Sequence, residues 1–269
     1  MKGIGPAFSL FHINGQPSRC YRRNVARLKE LFMANADSII AIYDDYYTDG
    51  KVAAKREIAS KQSVGHIEQI VQGESFDKIL DIGAGEGAVL DKLNKKGLGK
   101  TLGAVEISTS GVEAIRARKI ANLASLDIFD GYHIPHPDKS FDLGLAIHVV
   151  EHVEHERMFL MEAARVCKKL YIEVPLEHTR NLSKAIRMSG PYGHINFYTP
   201  LTFENLLKTS GLKVERQMTF AHDLAYEQHL AGQSKGWVKY KLRTEFLRFA
   251  PKTAVRNMAY MAGALCSTK

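Results

Sequence analysis

Residues able to bind and to move protons concentrate in the middle of the chain. Asp81 is followed at alternate positions by Gly83, Gly85 and Gly87, at the end of the apolar run Ile79-Leu80-Asp81-Ile82. Glycines there allow positive φ and let a ligand approach bare backbone. A turn that aims N–H groups from a helix N-terminus suits a polar ligand tail. Asp81, beneath such a ligand, can accept hydrogen bonds from an ammonium or a hydroxyl group. Further on, His148 and His152 are four apart, the spacing of one helix face. Glu151 lies beside His152, and His194 follows in a loop. Imidazole exchanges protons near neutral pH, so His148 and His194 are the candidate catalytic groups. Glu151 and His152 read as a helix-cap pair in preference to a divalent-cation or substrate-orienting pair, and no metal ligand is assigned.

A scaffold must hold these residues, and from Asp77 the pattern alternates strand and helix, the mark of a parallel sheet in an α/β domain. Strands are expected at 78–82, Thr101–Glu106, Leu123–Phe129 and Phe141–Ile147, then at Leu170–Val174, where Pro175 should stop the run. Helices are expected at Gly111–Ala121, Glu154–Cys167 and Thr202–Ser210, the last ended by Gly211. Leu212–Thr219 and Ala259–Cys266 read as the closing strands, with a mostly helical stretch at Asp223–Ala254 between them. Upstream, Met1 to Pro17 reads as irregular. Ser18 caps a helix carrying Val25, Leu28, Leu31 and Phe32, and Ile39, Ile40 and Tyr43 mark a second. Tyr43, Tyr46 and Tyr47 are expected to pack these helices rather than to line a lid. Lys51 to Gln72 is a third helix, turning Ile58, Val64, Ile67, Ile70 and Val71 inward.

The middle of the chain resembles known families at several points. Gly83, Gly85 and Ala88 satisfy the dinucleotide-binding turn G-x-G-x-x-G/A. Asp81, Gly83, Gly85 and Gly87 match all four fixed positions of D/E-x-G-x-G-x-G, the turn of class I S-adenosylmethionine methyltransferases. The segment from Asp130 to Asp142 separates the two, since it resembles the methyltransferase approach to strand four, with His136 in place of the usual aromatic. Glu151-His152-Val153, the helix Glu162-Ala163-Ala164-Arg165-Val166 and the loop Gly193-His194-Ile195-Asn196-Phe197-Tyr198-Thr199-Pro200 resemble that family too. The chain is therefore similar to class I methyltransferases of the ubiquinone/menaquinone-methyltransferase-like type, from about Asp77 to Thr219.

The resemblance implies a Rossmann-like, doubly wound, seven-stranded α/β sheet with an antiparallel last strand. It divides the chain into an N-terminal helical cap (1–76), a core (77–222), a helical insertion shaping the acceptor site (223–258) and the last core strand (259–269). It implies S-adenosyl-L-methionine as cofactor. Contacts to it are expected from Asp81, Gly83, Ala84, Gly85 and Gly87 in the turn and from Ile147 at the end of strand four. Glu106 and Ile107 are placed for the ribose, a carboxylate offering two oxygens to a vicinal diol. Asp130 and Gly131 are placed for the adenine. Methyl transfer is a displacement at a sulfonium methyl that mostly needs alignment, and a base helps only when the acceptor must lose a proton.

The acceptor implied is a small molecule. An RNA methyltransferase is disfavoured because no RNA-binding module is separable and no Asn/Asp-Pro-Pro-Tyr follows strand four. A nicotinamide oxidoreductase is disfavoured by Gly87 and the segment after Asp130. A non-catalytic S-adenosylmethionine-binding protein is the alternative of a different class. The chain is 45% hydrophobic and 25% charged, as soluble globular domains are. It has no spanning apolar run. Cys20, Cys167 and Cys266 are dispersed with no C-x-x-C pair, which argues against a disulfide framework or a cysteine zinc site and fits a cytoplasmic location. A net charge of +8 is compatible with nucleic acid, anionic lipid or acidic substrates, but without a dense Lys/Arg block it reads in preference as an ordinary basic surface. The stretch with Trp237, Phe246, Phe249, Lys239, Lys241 and Arg248 is expected to pack on the protein and close the acceptor pocket. Its alternative is weak association with a membrane surface.

Overall fold

The computed structural model describes residues 12–13, 16–17, 53–188 and 193–269. The expected helices between Ser18 and Tyr43, and Tyr43, Tyr46 and Tyr47 themselves, lie outside the described residues. The chain forms two compact units, 1–41 and 42–269. In the first, β1 (His12–Ile13) pairs antiparallel with β2 (Gln16–Pro17) within the stretch read as irregular.

The second unit holds a seven-stranded sheet. Its strands are β3 (Lys78–Ile82), β4 (Thr101–Glu106), β5 (Leu123–Ile128), β6 (Phe141–Ile147), β7 (Cys167–Leu176), β8 (Lys213–Phe220) and β9 (Tyr260–Ser267), in the order β5-β4-β3-β6-β7-β9-β8. β3, β4, β5, β6 and β7 run parallel, and β9 is antiparallel to both β7 and β8. This is the expected fold class. The helices are α1 (Ala53–Ile70), α2 (Ala88–Lys95), α3 (Thr109–Arg118), α4 (Glu156–Val166), α5 (Leu182–Met188), α6 (Pro200–Thr209), α7 (Leu224–Ala231), α8 (Gln233–Phe249) and α9 (Pro251–Asn257). A 3-10 turn spans Val150–His152.

β3 is apolar on both faces because it is covered on both. Leu80 and Ile82 join a core with Ala146, Ile172, Phe159 of α4 and Phe203 of α6. Ile79 joins the opposite core with Ile67 and Ile70 of α1, Leu90 of α2 and Ile115 of α3. The chain leaves β3 for β4 and β5 on one side, then returns to place β6 on the other. The carboxyl ends of β3 and β6 therefore flank the switch point at which such sheets bind ligands.

Two expectations need correction. Pro175 does not stop the fifth core strand: β7 continues to Leu176 and Pro175 stands opposite Met261. A proline is tolerated because the β6 ladder has ended at Ile147 and Glu173. The Glu173 carbonyl faces that side, bonding the N–H of His148. Two residues on, the missing N–H of Pro175 points to the same side, where no strand needs it. The second correction concerns α8. Phe246 and Leu247 pack against the core, but Trp237, Val238, Leu242 and Phe249 are exposed. Only part of its apolar surface is used by the described residues.

Gly236 sets how closely α7 and α8 pair. A Cβ built there would lie 2.4 Å from Gln228 Cα, which is backbone and cannot swing aside. Gly236→Ala gains helix propensity but forces the two helices apart, and overpacking dominates. The variant is expected to lose about 1–3 kcal/mol in chemical denaturation; a gain in stability would show that the hairpin has slack.

Candidate active site

At the end of β3, Gly83, Gly85 and Gly87 all have positive φ, at 76°, 57° and 73°. The turn is tied to β4: Gly83 and Ala84 donate to Val105 O at 2.9 and 3.2 Å. Gly85 N–H donates to Glu106 Oε2 at 2.8 Å. Glu106 Oε1 accepts from the N–H and hydroxyl of Ser108, at 3.1 and 2.9 Å. Burial pushes the Glu106 carboxyl up, and these bonds pull it back. Alongside the diol contact expected of it, Glu106 thus shapes the turn itself. α2 begins at Gly87 with no side chain capping it, so its first N–H groups stay available to a ligand.

Asp81 is 3% exposed, and its carboxylate makes no hydrogen bond among the described residues. Burial first, and the Glu106 charge second, push it up to about 7. A buried acid without a donor suits a cationic group. Side chains cannot replace the glycines: a Cβ on Gly83 would meet Val149 Cγ2 at 2.6 Å, and one on Gly87 would meet Ile115 Cγ1 at 2.9 Å. The first contact also shows that the glycine turn lies directly against the loop after β6.

That loop carries the histidines. His148 is left-handed, with φ 56°, a costly conformation for a side chain with a Cβ. The 3-10 turn follows, so His148 and His152 do not share an α-helical face. Instead His148 Nδ1 lies 3.2 Å from Glu151 Oε1, and Nε2 lies 3.4 Å from Glu173 Oε1. Burial opposes a charge on this ring, but the two carboxylates outweigh it and push it up to about 10. His148 is an imidazolium at neutral pH.

Glu173, in β7, is fully buried. It accepts from Ser63 Oγ at 2.8 Å, pairs with His66 Nδ1 at 3.0 Å, and takes the Tyr171 hydroxyl. On the other flank His152 and His194 meet edge to face, with centroids 4.9 Å apart. His194 Nδ1 lies 2.6 Å from Glu177 Oε2. Burial lowers His152, helped by the neighbouring His194 charge. For His194 burial acts in the same direction but is overcome by Glu177, and the ring is raised. Glu151 Oε2 is buried with no hydrogen-bond partner. Ligand-capable atoms of Glu151, His152 and His194 all lie within 4.8 Å of one another, the composition of a divalent-cation set.

A family model described as a methyltransferase domain matches residues 47–217. The chain belongs to the class I methyltransferases. It is 32% identical over 118 residues to ajmaline N-methyltransferase of Rauvolfia serpentina, covering 42% of this chain and 40% of that protein. Less than half of that relative's length is thus spanned. A Haloferax volcanii methyltransferase solved with its Trm112 activator shares the fold at a TM-score of 0.62 and 17% identity, covering 84% of this chain and 98% of that one. Geranyl diphosphate C-methyltransferase of Streptomyces coelicolor, solved with Mg2+, a substrate analogue and S-adenosyl-L-homocysteine, matches at 0.57 and 12%, covering 78% and 76%.

In this member of the family the structure brings Asp81, the glycine turn, Glu106 and the loop carrying His148 to the carboxyl edge of the sheet. Ile107 is half-buried after β4, and Ile147 ends β6. Asp130 is exposed, and its Oδ1 accepts from the N–H groups of Tyr132 and His133 at 2.8 and 2.6 Å, shaping a turn with Gly131 at φ 86°. Glu173, Ser63 and His66 were not singled out from sequence. A glutamate inside the apolar run Leu170-Tyr171-Ile172-Glu173-Val174 was the available signal. Sequence marks Glu162 and Arg165 only through family likeness. They rivet the segment after Asp130: Glu162 Oε1 accepts from Ile134 N–H at 2.8 Å, and Arg165 donates to the Ile134 and His136 carbonyls at 3.0 and 2.9 Å.

Asp81 makes the ligand-free protein sensitive to pH. Its folded pKa, about 7, lies above its ordinary value of 3.8. The folded state therefore holds the proton longer, and Asp81's contribution to stability falls as pH rises between those values, then levels off. Asp81→Asn removes this loss. Without ligand, the variant is expected to gain stability over wild type from pH 5 to pH 8, by at most on the order of 4 kcal/mol. Denaturant titrations with parallel pH profiles for the two proteins would contradict the assignment.

Proposed function

We propose that this chain binds S-adenosylmethionine on the glycine turn and passes its methyl group to a small-molecule acceptor seated against the acid–histidine cluster. The observation that carries this reading is the contact between Gly83 and Val149, which makes the donor cradle and the proton-handling loop one wall. Asp81 accepts from the ammonium of the methionyl group, and Glu106 and the backbone at Ile107 face the ribose. Ala84, Gly85 and Gly87 line the backbone cradle, and Asp130, Gly131 and Ile147 flank the base. S-adenosyl-L-homocysteine, bound in the Streptomyces coelicolor structural neighbour, supports this cofactor class, and ajmaline N-methyltransferase supports a small organic acceptor.

Displacement at the sulfonium methyl requires the acceptor lone pair, the methyl carbon and sulfur in line. His148, already protonated and held by two carboxylates, does not take a proton at neutral pH. It enters the proposal as a fixed charge that positions Glu151 and Glu173. His152, kept neutral by burial, is the group that can accept a proton from an attacking amine or hydroxyl. His194, oriented by Glu177, is its positioning partner. The orphaned Glu151 oxygen supports a second reading, in which Glu151, His152 and His194 hold a divalent cation that binds an acceptor oxygen.

Incubation with methyl-labelled S-adenosylmethionine and a panel of amines, phenols and alcohols tests the reading. Labelled product is expected, and His152→Ala should lower turnover by about 100-fold or more with cofactor affinity unchanged. Cofactor retained without product from any acceptor, including cell extract, would favour the non-catalytic binder. Asp81→Asn should weaken cofactor binding in calorimetry by about 1.5–3 kcal/mol even though it stabilises the free protein. Dialysis against EDTA decides between the two acceptor readings. Unchanged turnover supports direct contact, whereas loss restored by Mg2+ or Mn2+ supports the cation.

A further inference from the structure

One face of α8 remains unaccounted for by the methyl-transfer site. Its inner side is fixed to the body. Gly236 sits against α7, Arg243 pairs with the buried Glu227 at 2.9 Å and stacks over Tyr260 at 5.9 Å, and the half-buried Phe246 and Leu247 pack against the core. The outer side is apolar where solvent would favour polar residues. Val238, Leu242 and Phe249 are 56, 55 and 76% exposed, and Trp237 is 50% exposed. At 3.6 residues per turn Val238, Leu242 and Phe249 fall within roughly 40° of arc. Lys235 and Lys239 border this stripe on one side, and Lys241 and Arg248 border it on the other, with Glu245 as the one acid on the face.

We propose that the outer face of α8 is a docking surface for an anionic lipid membrane. An apolar stripe between two basic margins lets a helix lie in the interface, its aliphatic side among the acyl chains and its cations at the headgroups. Long lysine and arginine stems reach the headgroups without leaving the apolar surface. Trp237, beyond the Arg248 margin, has the amphipathic ring that interfaces favour. A second copy fits less well. A two-fold contact would bring four cations and a single acid from each copy face to face. Nucleic acid fits less well too, because Val238 and Leu242 are aliphatic and the rings a base could stack on, Trp237 and Phe249, stand at the two ends of the face, about 18 Å apart along the helix. The docking helix is firmly held from behind, so it needs no refolding to bind.

Trp237 is the one tryptophan in the chain, so the surface carries its own reporter. Full-length protein is mixed with vesicles of phosphatidylcholine alone or with about one third phosphatidylglycerol. Tryptophan emission is expected to shift to the blue, and the protein to co-sediment, with the anionic vesicles at least ten times more strongly than with the neutral ones. High salt should reverse most of this. Leu242→Ser with Phe249→Ser, and separately Lys239→Glu with Lys241→Glu, are expected to weaken partitioning at least tenfold. These side chains are exposed, so melting temperatures should stay unchanged. Equal sedimentation with both vesicle types, or an unshifted emission, would overturn the proposal. So would a dimer in analytical ultracentrifugation that the Ser variant dissociates, or an RNA oligonucleotide that shifts the emission when vesicles do not. None of these readouts needs turnover, so they stand apart from the acceptor reading.

Discussion

A carboxylate placed in the interior of a sheet must be satisfied, and the demands of Glu173 reach through most of this molecule. It sits fully buried in β7 with partners from three directions. Ser63 and His66 come from α1, Tyr171 from two residues earlier in the same strand, and His148 from the loop after β6. An unpaired charge at such depth costs several kcal/mol, so each partner is held in place by the penalty of leaving. This explains why α1 buries the polar Ser63 and His66 beside the apolar Val64 and Ile67. It also explains how His148 tolerates a left-handed backbone: its N–H is bonded to the Glu173 carbonyl and its ring faces the Glu173 carboxylate.

The same logic divides the site into two electrostatic halves. Around the glycine turn the acids outnumber the bases: Asp81 and Glu106 lie close enough that the Glu106 charge raises the Asp81 pKa. Two neighbouring acids in low dielectric resist ionising together, and a cationic ligand relieves that resistance. Around the loop after β6 each of the three buried or half-buried carboxylates Glu151, Glu173 and Glu177 has a histidine. Glu173 and Glu151 share His148, and Glu177 has His194. His152, between Glu151 and His194, is the ring whose pKa is pulled down.

Sequence periodicity reveals features set by local chemistry. The strand-turn-helix at 78–95 was legible because Ile79, Leu80 and Ile82 must be buried and three alternate glycines have few other uses. The doubly wound seven-stranded sheet with an antiparallel last strand followed from family likeness and from the alternation of elements, and the structure adds the strand order. Residues whose role depends on a distant partner were not legible. Glu173 carries no local mark of His66, more than a hundred positions earlier. Pro175 reads as a stop until one knows that β6 has already ended beside it. His148 and His152 show helical spacing, but the left-handed backbone at His148 and the 3-10 turn after it break that spacing. In α8 the sequence shows amphipathicity but not which of two apolar arcs turns inward. Gly236 decides that by allowing close approach to α7.

The strand order has a consequence for synthesis on the ribosome. β9 comes after β8 in the chain but lies between β7 and β8 in the sheet. Until β9 emerges, β8 has no strand to pair with and β7 keeps an open edge. A nascent chain halted at α9 therefore exposes two strands ready to capture a neighbour's backbone. Chaperone protection is needed most during that interval, and it ends when one eight-residue segment slots into the gap.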